Sequence, residues 1–198
     1  MSRSALRTGM DYATYLAFEE ANDLRHELVD GEVFAMTGAR MPHNAIAANL
    51  VAEVHGALRG GPCRPFTSDQ RVRVDEATAF YPDLTVVCGR PEPAPGDPNA
   101  IANPAVAFEV LSPSTEAWDR GGKFERLQRL PSLHTYVLVH PDRPRVEVFA
   151  RNPDGSWTVT AYGPGQAAGL GALAVTIPVD GLYEGLEDLW AAEREVNP

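Results

Sequence analysis

The sequence has few of the features that assign a chain to a class at once. It contains no run of about eighteen apolar residues, so no transmembrane helix is expected. Met1 to Thr8 holds two arginines but no apolar segment, and it does not resemble a secretory signal. No internal repeat or low-complexity block is visible. We therefore expect a globular protein with no membrane partner.

Cysteine is scarce, since Cys63 and Cys88 are the only two. They form no Cys-x-x-Cys motif, and two isolated cysteines are more often buried thiols than a disulfide or a zinc site. We expect both to be reduced core residues. Reduced thiols are typical of the cytoplasm, which is the expected location.

Basic residues are outnumbered, with 17 lysines and arginines against 27 acidic residues and a net charge of −10. Proteins that bind nucleic acid indiscriminately tend to be basic, because neutralising phosphates supplies most of that affinity. The charge speaks against such a protein, but it leaves room for a local basic groove. The length and the ordinary composition fit one domain over residues 1–198, with its core at about 12–190.

The hydrophobic pattern predicts an α/β fold, a mixed central sheet flanked by helices. Asp30-Gly31 between two apolar runs indicates a hairpin, and Asp11 or Thr14 could cap a helix before it. The proline-rich segment 90–104 is predicted to be an exposed loop. Helices are predicted at 43–58, 123–130 and 182–195, strands at 71–74, 84–88, 105–111 and 135–139, and a second hairpin at 145–149 and 157–161. A helical crossover should make 105–111 and 135–139 parallel neighbours.

Two acidic residues lie on apolar strands. Asp83 opens the run Leu84 to Val87, and Glu109 lies inside a second apolar run. An ionised carboxylate there is costly unless it has a partner, and Mg²⁺ prefers such oxygens. Glu109 could instead face solvent at a sheet edge or pair with an arginine.

The helix after Glu109 carries a third candidate. At about 100° per residue, Lys123 lies on the same face as Leu127 and Leu130. A lysine in an apolar stripe either points inward to an anion such as Glu109 or extends its ammonium back to the surface.

Three further residues are open to two interpretations each. His43 lies in the apolar stripe of its helix, where it is either a core residue or a site residue. Glu27 shares a hairpin face with Val29 and Phe34, and that face is either solvent-exposed or part of a site. Asp119 is better explained as a helix cap than as a ligand.

Several motifs together resemble a known family. The chain contains Tyr81-Pro82-Asp83, then FEVLSPST at 108–115, DRGGKF at 119–124 and RLPSL at 129–133, with ELVDG at 27–31 further upstream. In this order they are similar to the PD-(D/E)XK nuclease superfamily, and more narrowly to the Uma-two family of restriction-endonuclease-like proteins. The resemblance extends from about Tyr12 to Trp190 and implies a restriction-endonuclease-like core. Leu111 occupies the position of the usual lysine, so the resemblance implies that Lys123 has taken its place.

The resemblance implies an endonuclease that hydrolyses phosphodiester bonds in DNA with Mg²⁺, for which Mn²⁺ could substitute. Asp83 and Glu109 would bind the metal, together with the backbone carbonyl of Val110. Lys123 would orient the attacking water or stabilise charge in the transition state. Glu27 and His43 would complete the site.

Two other functions remain open at this point. A catalytically inactive member of the fold could act as a DNA- or protein-binding module, and a metal-independent scaffold would leave Asp83 and Glu109 as ordinary ion-pair partners. If DNA is the partner, its phosphates should meet a local basic groove. Candidates for that groove, besides Lys123, are Arg71, Arg73, Arg120 and Arg126, although each could be an ordinary solvated charge. A homodimer is expected, because two copies related by a twofold axis most simply cut both strands.

Overall fold

The computed structural model describes residues 4–36 and 38–196, which form two mixed six-stranded sheets, a short third sheet and helices. The helices of the described residues are α1 (Tyr12–Glu20), α2 (Met41–Ala57), α3 (Glu116–Trp118), α4 (Phe124–Leu127), α5 (Val179–Leu182) and α6 (Glu187–Val196). The strands are β1 (His26–Val29), β2 (Glu32–Ala35), β3 (Cys63–Thr67), β4 (Arg71–Asp75), β5 (Thr78–Phe80), β6 (Leu84–Cys88), β7 (Pro93–Ala94), β8 (Asp97–Ile101), β9 (Val106–Val110), β10 (Thr135–Val139), β11 (Val146–Arg151), β12 (Trp157–Tyr162), β13 (Ala167–Gly169) and β14 (Thr176–Pro178). The predicted α/β class is confirmed.

The sheet that carries the site has the strand order β12-β11-β10-β9-β6-β3. Strands β9 and β10 are parallel, and the helical segment from α3 to α4 connects them, as a crossover requires. The other neighbours in this sheet are antiparallel. The second large sheet has the order β2-β1-β5-β4-β8-β7, and β13 pairs with β14.

Helix α2 covers one face of the site-bearing sheet. Its residues Ile46, Leu50 and Val54 are fully buried against the apolar side chains of β6, β9 and β10. On the opposite face, Leu127 of α4 packs with Tyr136 and with residues of the second sheet. Polar groups at the end of the site-bearing sheet therefore lie between two apolar layers.

Local signals explain several elements. Asp11 caps α1, since its side chain accepts a hydrogen bond of 2.8 Å from the amide of Thr14. Asp30 and Gly31 form the predicted hairpin turn with φ values of 48° and 82°, a conformation that favours glycine and aspartate.

The prediction of an exposed loop over 90–104 is wrong. The segment contains β7 and β8, which pair with each other around Gly96, and β8 runs parallel to β4. Asp97 is 1% exposed and accepts hydrogen bonds from Arg71 Nε at 2.8 Å and from the Tyr12 hydroxyl at 2.7 Å. These distant partners order a segment whose prolines suggest a loop. Strands β3, β5, β13 and β14 were also not predicted.

The prediction of two reduced thiols is also wrong, because Cys63 and Cys88 form a disulfide. They are directly opposed in the antiparallel pair β3–β6, with Cα atoms 3.9 Å apart. Pairing over a sequence separation of 25 residues brings together two cysteines that look isolated in the sequence. The argument from free thiols to the cytoplasm therefore no longer holds.

Within the described part of the chain, none of the helices is both long enough and apolar enough to cross a lipid bilayer.

Candidate active site

A cleft of about 970 Å³ opens at the start of β6 and the end of β9, beside the N-terminal part of α2 and the helical crossover. It brings together residues that are far apart in the sequence. The cleft is lined by the predicted residues Glu27, His43, Asp83, Glu109, Val110 and Lys123, and also by Asp119, among others.

Asp83 and Glu109 are placed by the pairing of two strands. Leu84 of β6 is opposite Phe108 of β9, and one further step in this register sets Asp83 across from Glu109. Directly opposed residues have Cβ atoms about 4.5–5.5 Å apart. The amide of Val110 donates a hydrogen bond of 2.7 Å to Oδ2 of Asp83, which fixes that carboxylate at the edge of β9. The two carboxylates therefore flank one small volume.

Lys123 reaches this volume from the crossover. It ends a π-helical turn, Asp119–Lys123, within an otherwise α-helical segment. Its ammonium lies 2.7 Å from Oε1 of Glu109 and 3.0 Å from Oε1 of Glu27. Turns of this kind inside helices are frequent at functional sites. The lysine is buried and therefore does not extend back to the surface.

Burial and an excess of carboxylates govern protonation in the cleft. Burial raises the pKa of Glu109 well above its usual range, and the charges of Asp83 and Asp119 act in the same direction, against the effect of Lys123. Burial alone would lower the pKa of Lys123, but the carboxylates of Glu109 and Glu27 outweigh it and raise that pKa. Lys123 therefore stays protonated, and Glu109 holds a proton more readily than an exposed glutamate.

His43 faces Asp83 from α2. Its Nε2 lies 3.4 Å from Oδ2 of Asp83, and its side chain is 15% exposed. Burial alone would lower the pKa of His43, but Asp83 and the backbone of Val110 outweigh it and raise that pKa. Of the two interpretations, the structure places His43 in the cleft, beside one of the acidic residues.

Asp119 was predicted to be a helix cap, and this prediction is wrong. It lies inside the continuous helical segment and its side chain is buried along the cleft. Burial raises the pKa of Asp119, with further contributions from the charges of Glu27 and Asp83. Asp119 begins the π-helical turn, which the sequence pattern does not reveal.

A buried network supports the segments that carry the carboxylates. Glu19 of α1 accepts hydrogen bonds from the Tyr81 hydroxyl at 2.8 Å and from the His26 amide at 3.1 Å. Its other oxygen lies 2.9 Å from Nδ1 of His26. Tyr81 comes just before Pro82 and Asp83, and His26 comes just before Glu27. Glu19 therefore ties together two segments of the site, and no motif in the sequence singles it out.

The predicted basic groove is not formed by the predicted arginines. Arg71 is buried on Asp97 and Tyr81, and Arg73 is buried beside Glu76, with its Nη2 2.7 Å from that carboxylate. Neither lines the cleft. The proposed role in contacting DNA is therefore corrected for both, because acidic or aromatic neighbours hold each guanidinium inside the fold.

The other two predicted arginines also have acidic partners. Arg120 forms ion pairs with Glu147 and with Glu116, the latter at 2.8 Å, and Arg126 pairs with Asp30. Both lie outside the lining of the cleft, so they do not form a basic groove there, and their contact with DNA stays a prediction. Arg40 does line the cleft, although it was not predicted; its side chain is 40% exposed and is also paired with acidic residues.

One compositional signal could have singled out Lys123 from the start. It is the only lysine in the chain, and the other basic residues among the 17 are all arginines. Lysine differs from arginine in presenting a compact point charge. The single lysine of a chain that otherwise uses arginine therefore lies at the centre of the cleft.

The site meets part of the requirements for a divalent metal. Within residues 4–36 and 38–196, no three histidine, cysteine or acidic side chains come together as a ready metal-binding group. Mg²⁺, however, usually keeps several waters and binds through one or two carboxylates. Oε1 of Glu109 is buried and receives no well-directed hydrogen bond from the described residues, although Lys123 is close. Asp83, Glu109 and the carbonyl of Val110 therefore fit a Mg²⁺ ion better than a zinc ion.

The fold is a nuclease-like α/β fold. A solved structure from Anabaena variabilis, described as "a putative nuclease belonging to DUF820", superposes with a TM-score of 0.73. The match covers 88% of this chain and 98% of that one. The two sequences are 15% identical, so this likeness concerns the fold.

Residues 12–180 match the Uma2 family, which is described as "Putative restriction endonuclease", and the chain belongs to this family. The family predicted from the sequence is thereby confirmed. Two proteins of Synechocystis sp. are similar along most of their length. The uncharacterized protein slr1290 is 34% identical over 176 residues, covering 87% of this chain and 90% of the relative. The uncharacterized protein sll1609 is 31% identical over 149 residues, covering 75% and 84%.

Proposed function

We propose that this protein is an endonuclease that hydrolyses phosphodiester bonds in DNA with the help of Mg²⁺ or Mn²⁺. The observation that carries the proposal is the set of four carboxylates, on four separate segments, that lines one cleft around a single buried ammonium. Such an excess of negative charge is costly without a cation. The nuclease-like fold and the family description favour the same function.

In this proposal Asp83 and Glu109 would hold the metal, with the carbonyl of Val110 as a further ligand. When bound, the ion would supply Lewis acidity at the scissile phosphate and lower the pKa of the attacking water. Lys123, held by Glu27 and Glu109, would place its ammonium against the negative charge that develops on the phosphate. His43 would orient the Asp83 carboxylate, which it approaches at 3.4 Å.

Nicking of a supercoiled plasmid tests the activity directly. We expect nicks with Mg²⁺ or Mn²⁺ and none when the cations are chelated. Asp83→Asn and Glu109→Gln should each remove most of the activity. Asp23→Asn, on the exposed turn after α1, is the matched control and should nick like the parent protein.

Calorimetric titration with Mn²⁺ tests the metal site without relying on turnover. Asp83→Asn should weaken binding at least tenfold, whereas Asp23→Asn should not. A protein that binds DNA but neither binds Mn²⁺ nor nicks plasmid would contradict the proposal. That outcome would instead favour a catalytically inactive, DNA-binding member of the fold.

A further inference from the structure

A second cavity, which we call the side pocket, opens next to the cleft. It has a volume of about 690 Å³, within the usual range for small-molecule sites. It shares four wall residues with the cleft: Phe34, Pro113, Ser114 and Trp118. The two cavities therefore lie side by side, so a nucleotide whose phosphate lies in the cleft could place its base in the side pocket.

The wall between the two cavities is held in place. The six-membered ring of Trp118 packs on Gly122, where an added Cβ would lie 2.1 Å from the nearest ring carbon. The guanidinium of Arg126 lies 5.3 Å from the centre of the Trp118 ring. Arg126 is itself fixed by an ion pair with Asp30 and by a hydrogen bond of 2.8 Å to the carbonyl of Gly122. The Trp118 ring is thus held in place by the backbone of Gly122 and by the guanidinium of Arg126.

The charges of the side pocket disfavour an anion. Among the described residues of its lining, Asp30 and Glu32 contribute two carboxylates and Arg126 one positive charge. The remaining lining is mostly apolar or aromatic, with Phe34 and Trp118 as its rings. A phosphate would meet net repulsion here, whereas a neutral planar ring could stack on the aromatic wall. Aromatic side chains stack on any base, since every base has a π-face.

We propose that the side pocket binds an unstacked nucleobase that neighbours the phosphate in the cleft. The carboxylate of Asp30 could accept hydrogen bonds from the edge of the base, and the hydroxyl of Ser114 could donate or accept one. The inference rests on the proposed function and adds to it. The preferred substrate is a strand with a base free to leave the stack, such as single-stranded DNA or a distorted duplex.

Saturation-transfer NMR with nucleosides in metal-free buffer tests the side pocket apart from catalysis. A nucleoside carries no phosphate, so the cleft should not hold it. We expect saturation transfer from the protein to the base protons. Ala117→Phe, which fills the side pocket but lies outside the lining of the cleft, should weaken binding at least tenfold. Trp157→Phe, which changes a residue outside the lining of both cavities, is the control and should leave nucleoside binding unchanged.

A second experiment determines which base of the strand, counted from the cleavage site, occupies the side pocket. Single-stranded oligonucleotides with one abasic position, moved stepwise along the strand, should bind about tenfold more weakly when that position is next to the cleavage site. Three outcomes would overturn the inference. All the abasic strands could bind equally well, inorganic phosphate could displace the nucleoside, or Ala117→Phe could leave nucleoside binding intact. If the protein binds nucleosides but does not nick plasmid, the proposed hydrolysis is refuted, whereas the inference that the side pocket binds a base still holds.

Discussion

Lys123 reaches Glu109 from the helical crossover, with its ammonium 2.7 Å from the Glu109 carboxylate. The usual lysine position of the motif, two residues after the glutamate, is occupied by Leu111, which is buried in the core. The positive charge therefore enters the site from the helical crossover and not from β9.

Lys123→Met should remove most of the hydrolysis, by about two to three orders of magnitude, because one charge contact in the transition state is lost. Steady-state nicking rates measure this. The exposed residue Arg129, which pairs with Asp75 at 3.3 Å, gives the control Arg129→Met, and that variant should keep its activity. Unchanged rates in Lys123→Met would contradict the role of the lysine.

The same variant should also show a new pH dependence of stability. Without the ammonium, the folded-state pKa of Glu109 rises further above its unfolded value, since the opposing effect of Lys123 is gone. A raised folded pKa contributes stability at low pH, and this contribution is lost as the pH rises through it. The free energy of unfolding of Lys123→Met, measured by denaturation at several pH values, should therefore fall as the pH rises above the ordinary value of 4.5. The parent protein should show a smaller fall.

Metal binding should release protons. Burial and neighbouring carboxylates raise the pKa of Glu109, and a cation requires its ionised form. Affinity for Mg²⁺ should therefore increase with pH. Calorimetry in two buffers with different heats of ionisation measures the number of protons released. Glu109→Gln should release fewer, and equal release in both proteins would exclude Glu109 as the source.

Gly122→Ala should destabilise the protein by about 1–3 kcal/mol, because the new methyl group would overlap the Trp118 ring. Gly121 is the matched control on the same helical segment, since a methyl group added there would meet no described atom within 4 Å. Gly121→Ala should be neutral or stabilise by up to about 1 kcal/mol. Chemical denaturation of both variants gives the comparison, and equal stabilities would show that the ring moves aside freely.

Reduction of the Cys63–Cys88 disulfide should cost about 3.5 kcal/mol, the loop entropy expected for a separation of 25 residues. Urea denaturation with and without reductant measures this difference. The double variant Cys63→Ala/Cys88→Ala should have the same stability as the reduced protein, and the reductant should not change it. A parent protein whose midpoint does not change with reductant would contradict the expectation.

Glu147 should contribute stability that acid removes. Burial alone would raise the pKa of Glu147, but hydrogen bonds from Arg120, Arg145 and His140 outweigh it and lower the pKa to about 2. A lowered folded pKa gives a contribution that is present above the ordinary value of 4.5 and lost as the pH falls towards 2. Melting curves of Glu147→Gln and the parent should therefore converge in acid. The exposed Glu20→Gln is the control.

The sequence predicts those parts of the fold that depend on local patterns. Asp30-Gly31 identifies the first hairpin, and the apolar runs give β6 and β10 with their observed ends. The acidic residues of the site are found for the same reason, since a carboxylate in an apolar strand stands out. Their grouping with Glu27 and His43 followed from the resemblance to a family.

The failures concern contacts between distant residues. Asp97 pairs with Arg71 across 26 positions, and Asp30 pairs with Arg126 across 96 positions. Such pairs decide whether an arginine faces solvent, and neither spacing nor composition reveals them. The disulfide and β8 were missed for the same reason, because each is fixed by a strand that lies elsewhere in the sequence.

Because the arginines are paired with acidic residues, the association of the protein with DNA should depend on ionic strength in an unusual way. A protein of net charge −10, whose cleft is lined by carboxylates, repels a phosphate polymer at long range. Added monovalent salt shortens the range of that repulsion. Encounters with DNA should therefore become faster as salt increases from low concentrations, the reverse of the behaviour of a basic DNA-binding protein.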